Sequence, residues 1–194
     1  MNKLRPEELS PTKEADWKKL ANILTTIGER SSHLKNFIEG YASFARLPLP
    51  KIESFNLFDL LERLSSQLEF IIIRSSTDLM VSLDQTQFEQ VLINLIKNAR
   101  DASGSKGRIE VSFNTRHKHL LMLVSDDGPG MSHRVMQQAL LPFYSTKQEG
   151  TGLGLPLCRE IIEAHGGQLS LSNRKQGGLD VQIKIPENIT TIGG

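Results

Sequence analysis

One cysteine, Cys158, stands among 194 residues. No disulfide can therefore close within the chain, and the five histidines are too scattered to give any Cys/His cluster the spacing of a zinc site. Charge of one sign is also missing. Lys and Arg number 23 against 22 Asp and Glu, a formal net charge of +1, so no global field draws in nucleic acid or an acidic membrane surface. Apolar runs are short: "FIIIR" at residues 70–74 falls far below a membrane span. There is no leader of charged then apolar residues, no Gly-Lys-Ser or Gly-Lys-Thr of a Walker loop, and no internal repeat. These absences lead us to expect a soluble, cytoplasmic piece that touches neither nucleic acid nor membrane. With 38% hydrophobic and 23% charged residues, it has enough for one well-cored domain plus an appendage.

The appendage comes first. Residues 14–46 lack proline and repeat apolar side chains at intervals of seven: Leu20, Ile27, Leu34 and Tyr41 form one set, and Leu24, Ser31, Ile38 and Ala45 the other. Phe37 and Phe44 widen the stripe, so this long helix must bury its face against another helix, in a hairpin or a dimer. "RLPLPK" then stops it with two prolines and reads as a hinge, placed at residues 47–56. Beyond it, residues 57–69 and 85–102 read as helices, and 70–74 and 79–83 as strands. Residues 108–116 with 119–125, and 168–173 with 179–185, read as two hairpins. Helices interleaved with antiparallel hairpins predict an α+β, two-layer α/β sandwich with helices on one face of a mixed sheet.

Three stretches draw chemical attention. In "QTQFEQVLINLIKNARDA" a core face of Phe88, Val91, Leu92, Leu95, Ala99 and Ala102 runs beside Asn94, Asn98 and Asp101, spaced i, i+4 and i+7 along one stripe. Asparagine is a mediocre helix former. The stripe is either a solvated polar face or a row of oxygens offered to a hard cation such as Mg²⁺, which takes few protein ligands when phosphates supply the rest. In "VSDDGPGMS" an apolar strand ends in carboxylates and glycines. That is either an acidic turn or a pocket in which Asp126 accepts a hydrogen bond from an exocyclic amine, favouring adenine over guanine. In "EGTGLGLPLCREIIEAHGG", Gly150, Gly152 and Gly154 precede an apolar helix carrying Leu153, Leu157, Ile161, Ile162 and His165, with Pro156 in its first turn and Gly166–Gly167 at its stop. The glycines are either a flexible loop with ordinary capping or an anion cradle at a helix N-terminus. Cys158 on this helix reads as packing, not as a nucleophile.

The order asparagine helix, "DDGPG", "PFYSTK", "GTGLGL" resembles the N, G1, F and G2 boxes of sensor histidine kinases, over nearly the whole chain. The resemblance implies the Bergerat ATP-binding sandwich of the GHKL superfamily at residues 57–194, with residues 131–149 as a mobile lid over ATP. By it, Asn98 holds Mg²⁺, Asn94 assists at the phosphates and Asp126 reads the adenine amine, with Gly128 and Gly130 beside the base. Gly150, Gly152 and Gly154 free the lid and cradle phosphate, together with Thr151 and Leu155 of the same box. Leu153 and Phe143 are apolar lid and base contacts, and Thr146 and Lys147 belong to the lid, with Lys147 a phosphate partner and, with Asn94, the expected catalytic pair. Asp101 stands where many of these kinases carry lysine, a departure that bears on the positive charge near the phosphates.

By the same resemblance, residues 1–46 are part of a dimerisation and phosphotransfer hairpin, with its turn at residues 1–16, and "FARLPLP" is the exit typical of nitrogen-regulation-type sensors. The family's phosphoacceptor histidine lies on the preceding helix and is followed by an acidic residue. His33 is followed by Leu34 and lies on the second helix, so it reads as a helix-face residue. The chain is then expected to be the C-terminal part of a longer receptor that forms a homodimer and passes phosphate to a response regulator receiver domain. Three other readings compete. ATP-hydrolysing clamps place a glutamate where Asn94 stands, and an amide has no useful pKa with which to activate water. Anti-sigma serine kinases share the ATP boxes but lack the leading helix and hinge. The third is a nucleotide-binding dimerisation module without kinase activity.

Overall fold

At Asn56 the chain turns from strand to helix. Its backbone stays extended while its side-chain oxygen accepts the N–H groups of Phe58 at 2.8 Å and Asp59 at 3.4 Å, capping the helix that follows. In a computed structural model that describes residues 14–45, 47–73, 79–147 and 150–186, such local signals set most element boundaries. The chain runs α1 (Glu14–Ala45), β1 (Glu53–Asn56), α2 (Leu57–Leu68), β2 (Ile71–Ile73), β3 (Met80–Leu83), α3 (Gln85–Ser103), β4 (Ile109–Arg116), β5 (His119–Asp126), α4 (His133–Gln138), α5 (Gly154–Ala164), β6 (Gln168–Asn173) and β7 (Leu179–Pro186). The residues divide into two compact units between Ala42 and Ser43.

In the first unit, the described stripe residues of α1 are solvent-exposed: Leu20, Leu24, Ile27, Leu34, Ile38 and Tyr41 all lie at the surface. The side chains of His33, Phe37, Phe44 and Ala45, and all of residues 1–13, lie outside the described residues.

In the second unit, five strands form a mixed sheet in the order β2-β4-β5-β7-β6, and β1 pairs with β3 in a small separate ladder. Among the described strands only β2 and β4 run parallel, because α3 supplies the crossover between them. Alternate residues of β4, β5 and β7, among them Ile109, Val111, Met122, Val124, Val181 and Ile183, point inward and are almost wholly buried. They meet Leu61 and Leu64 of α2, Phe88 and Leu92 of α3, and Leu157 and Ile161 of α5 in one core.

Several expected boundaries move. The strand expected at residues 70–74 is Ile71–Ile73, with Phe70 buried ahead of it and Arg74 outside the described residues. Ala102, expected in the core face of α3, is exposed; Ile96, 1% exposed, is buried instead. The expected hairpin turn holds His117 and Lys118, both in left-handed backbone. The expected hinge, residues 47–56, ends in β1, whose ladder with β3 covers Phe55. Polar-flanked "ESFN" is too short to announce itself as a strand before its partner is known.

The start of α3 is held from four directions. Asp84 Oδ1 accepts from Gln87 N at 2.9 Å, Asp84 Oδ2 accepts from Lys51 N at 2.8 Å, and Asp84 N donates to His165 Nε2 at 3.0 Å. Gln87 Nε2 donates to the Pro48 carbonyl at 2.9 Å. Burial pushes the Asp84 carboxyl up, but the N–H groups of Gln87 and Lys51 outweigh it and hold the carboxyl below its ordinary value.

Asp84→Ala removes the cap and orphans Lys51 N–H, and is expected to cost about 2 kcal/mol in urea unfolding at pH 7. Because the folded carboxyl is the stronger acid, its stabilisation is complete above the ordinary value of about 3.9 and is lost as pH falls through the lower folded value. Wild-type and variant stabilities should therefore converge in strong acid. Equal midpoints at pH 7 would show that the cap contributes nothing.

Candidate nucleotide-binding site

The solvent edge of α3 is where the sequence motifs meet. Asn98 and Asp101 leave the core at the helix's polar stripe, and Lys147 of the 131–149 segment reaches back to both. Its Nζ donates to Asn98 Oδ1 at 3.1 Å and Asp101 Oδ2 at 2.7 Å. Two hard oxygens thus already converge on one cation. The ion pair is open to solvent on both sides, and a bridge of that kind is worth about 0–1 kcal/mol, so Lys147 is free to exchange partners.

On the other side of the stripe, α5 begins. A Cβ placed on Gly154 would stand 3.7 Å from Asn98 Nδ2, so the helix start lies in van der Waals contact with the asparagine. Leu153, at the N-cap, makes no side-chain cap bond. The first N–H groups of α5 therefore open beside Asn98, with the positive end of the helix dipole behind them. Leu153 itself is buried, and Leu155 packs against the core. Asn94, one turn before Asn98 and half-buried, lies against Cys158 of α5. Burial pushes the Cys158 thiol up to about 12, partly offset by Asn94, which leaves it inert at neutral pH.

One turn further along α3, Gly128 comes against the helix end, where a Cβ would stand 3.0 Å from the Ala102 carbonyl. This turn carries Asp126, the last residue of β5, only 4% exposed. Asp126 Oδ1 accepts from Gly128 N at 2.9 Å and from Leu179 N at 3.2 Å. Burial pushes its carboxyl up, and those two N–H groups partly offset the rise. Both donors fall on Oδ1, which leaves Oδ2 to receive a ligand's N–H.

The segment between these poles contains one helix that the sequence does not announce, α4, capped by Ser132 through Val135 N at 3.3 Å. Its far end closes on the glycine run through Phe143 N–H to Gly152 O at 3.0 Å. Gly152 has φ +67°, and a Cβ there would approach Phe143 C to 2.5 Å, so only glycine fits. Phe143 is exposed, as are Thr146 and Gly150, while Gly130 and Thr151 are half-buried. Residues 148 and 149, the end of the expected lid, lie outside the described residues.

The structure thus gathers Asn98, Asp101, Lys147 and Gly154 at one pole, and Asp126 and Gly128 at the other. His165, in sequence one more residue of the helical stripe, turns out to accept the Asp84 N–H. "AHGG" gives no hint of a partner 81 residues away.

The family model "Histidine kinase-, DNA gyrase B-, and HSP90-like ATPase" matches residues 83–189. Sporulation kinase B of Bacillus subtilis (strain 168) is 33% identical over 193 residues, covering 94% of this chain and 44% of that kinase. The chain therefore spans less than half of that relative. Among solved structures, the nucleotide-free catalytic domain of histidine kinase ThkA matches with a TM-score of 0.66 at 33% identity, over 70% of this chain and 95% of that one. ThkA in complex with the response regulator protein TrrA matches with a TM-score of 0.72 at 27% identity, over 93% of this chain and 54% of that one.

Burial of the Asp126 carboxylate bears directly on stability. A folded carboxyl with a raised value disfavours the charged form, so the fold gains stability as pH falls through that value. Asp126→Asn keeps an acceptor for Gly128 and Leu179 but carries no charge. At pH 7 and without ligand it is expected to melt above wild type by scanning calorimetry, the gap closing on acidification. A variant that melts below wild type would show that the charge is stabilised where it sits.

Proposed function

The chain belongs to the histidine kinase-, DNA gyrase B- and HSP90-like ATPase family, and from that premise we propose a specific role for it. It is the ATP-binding catalytic part of a two-component sensor kinase. It presents the γ-phosphoryl group of Mg²⁺–ATP to a histidine on a helix outside residues 14–186. The observation that carries this reading is the convergence of Asn98, Lys147 and the uncapped start of α5 one helical turn from the Asp126 turn. That arrangement offers cation-binding oxygens and anion-binding N–H groups at one end, and a buried acceptor for a base at the other.

The residues divide the work. Asp126 accepts the adenine amine and, as an acceptor only, rejects the guanine carbonyl. The first N–H groups of α5, on Gly154 and Leu155, take phosphate oxygens, and Gly150, Thr151 and Gly152 let the backbone lie close. Asn98 fits Mg²⁺ because its Oδ1 already faces a cation, and Asn94 stands one turn behind it toward the phosphates. Among the described residues no cluster of His, Cys, Asp and Glu could hold a metal without phosphates. Bound there, Mg²⁺ would neutralise phosphate charge. Lys147 then trades Asn98 and Asp101 for a phosphate oxygen, supplying the positive charge that Asp101 does not. Phe143 and Leu153 border the base as the 131–149 segment closes. Transfer breaks the bond between the γ-phosphorus and ADP and forms one to the histidine nitrogen. Positioning, not a protein base, is what the site contributes. Asn94 gives no means of activating water, which separates this reading from the ATP-hydrolysing clamps.

The exposed stripe of α1 supports a homodimer built on residues 1–46, with residues 47–56 leading to the catalytic part at 57–194. A response regulator receiver domain is the natural acceptor of the phosphohistidine. ThkA, which matches over most of this chain, has been captured with such a protein. The site is cytoplasmic in this reading, and no helix among the described residues is long and apolar enough to cross a membrane.

Titration calorimetry is expected to show Mg²⁺-dependent binding of ATP in preference to GTP. Asp126→Ala should weaken ATP about 10- to 100-fold, the worth of one hydrogen bond to a charged group. Asn98→Ala should lose most of the gain from Mg²⁺, while Asn22→Ala on α1 keeps it. Equal affinity for the two nucleotides would refute the base assignment, and an unchanged Mg²⁺ effect in Asn98→Ala would move the metal elsewhere.

None of the five histidines is followed by an acidic residue. Incubated alone with radiolabelled ATP, the chain should take up no acid-labile, alkali-stable label. Adding a polypeptide that carries the upstream helix and its histidine should restore it. Label on the isolated chain that disappears in His33→Ala would overturn the assignment of α1 as the second hairpin helix.

A further inference from the structure

The turn between β6 and β7 belongs to none of the nucleotide boxes, yet it grips the Asp126 turn along its length. Asn173, the last residue of β6, accepts Met131 N–H on Oδ1 at 2.8 Å and donates Nδ2 to the Met131 carbonyl at 2.7 Å. One side chain thereby satisfies both backbone groups of a residue, as a neighbouring strand would. Met131 is also where the lid begins. Arg174, the next residue, donates Nη1 to the Asp126 carbonyl at 3.0 Å. It closes the turn on itself through its own N–H to Gly178 O at 3.0 Å. Leu179, where β7 starts, supplies one of the two donors to Asp126 Oδ1. Gly178, with φ +100°, lies so close that a Cβ there would overlap the Asp126 carbonyl oxygen.

We propose that Asn173 and Arg174 are positioning residues for the nucleotide base, fixing the Asp126 carboxylate and the root of the lid from the β6–β7 turn. This inference rests on the reading of Asp126 as the acceptor of the adenine amine. A carboxylate that distinguishes bases must be held to within a few tenths of an ångström, because a hydrogen bond weakens steeply as it bends away from linear. Asp126 lies at the end of β5, still paired with Ile109 of β4 but past the last β7 pair, and its own turn supplies one donor, Gly128 N–H. The β6–β7 turn supplies the remaining support through Asp126 O, Asp126 Oδ1 and both backbone groups of Met131. Arg174 is itself oriented from two sides, with Nη2 3.8 Å from Glu110 and Nε 3.6 Å from Asp180. It also borders a polar cavity of about 190 Å³ shared with Arg108, Glu110 and Asp127. Glu110 and Asp180 hold its guanidinium in place, so that Nη1 bonds Asp126 O while its charge favours the Asp126 carboxylate.

The test compares ATP with purine riboside triphosphate, which lacks the exocyclic amine, by calorimetry on the chain and on Asn173→Ala and Arg174→Met. Wild type is expected to favour ATP by about 10- to 100-fold, the worth of a charge-assisted hydrogen bond. In both variants that ratio should fall below about threefold, with ATP weakened and the amine-free analogue nearly unchanged. Hydrogen exchange at the Met131 amide should speed up about tenfold in Asn173→Ala and not in Arg174→Met. Variants that keep the wild-type ratio, even if both nucleotides bind more weakly, would overturn the proposal and show a merely structural turn. A wild type that binds the two nucleotides equally would overturn the base reading itself, and the proposal with it.

Discussion

The position of α3 is the constraint on which the rest depends. One face of the helix is sealed into the core by Phe88, Val91, Leu92, Leu95 and Ile96, and its first turn is pinned by Asp84 to the incoming chain and to His165 at the end of α5. A helix fixed in rotation and at its origin has no freedom left in where its polar stripe emerges. Asn98 and Asp101 must then face the gap between the start of α5 and Lys147. Three parts of the site touch this helix: Gly154 against Asn98, Gly128 against Ala102, Lys147 against Asp101.

Around that fixed helix the site combines one rigid pole and one loosely held pole. At the Asp126 end, the carboxylate is buried and held by backbone donors, an arrangement that disfavours its own charge. At the Lys147 end the holding contacts are weak. They are an exposed ion pair, one backbone hydrogen bond from Phe143 to Gly152, and a six-residue helix. In the proposed reading, phosphates with several charges and many acceptors meet groups able to move, and a planar base meets a surface that does not. The same division separates energetic roles: burial dominates at α3 and the sheet, and local hydrogen bonds dominate at the lid.

The linker leading into the catalytic unit is tied in as well. Pro48 and Lys51 are bonded to Gln87 and Asp84, so the segment after the two-proline stop is attached directly to the origin of the helix that carries Asn98. What reads in the sequence as a proline-rich hinge is, from residue 48 onward, part of the surface that orients α3.

Much of this is legible in the sequence. Hydrophobic period alone marks α2, α3, α5 and the two hairpins to within a residue or two, because each buries a face and burial imposes a repeat of 3.6 or 2. The ordered boxes identify the nucleotide family, since glycines, asparagines and a strand-end aspartate at those spacings have few other uses. What lies across the fold from each motif is not legible there. β1 is four residues that become a strand only against β3, and α4 is a single short helix without an apolar repeat. Lys147 finds Asn98 across 49 residues of chain, His165 finds Asp84 across 81, and Asn173 finds Met131 across 42. Local periodicity and motif spacing are properties of neighbouring residues, so the sequence by itself determined the longer elements, most of their buried faces and the kind of ligand. Which side chains hold the site in register depends on contacts between distant segments, and only the packing of sheet, helices and lid decided those.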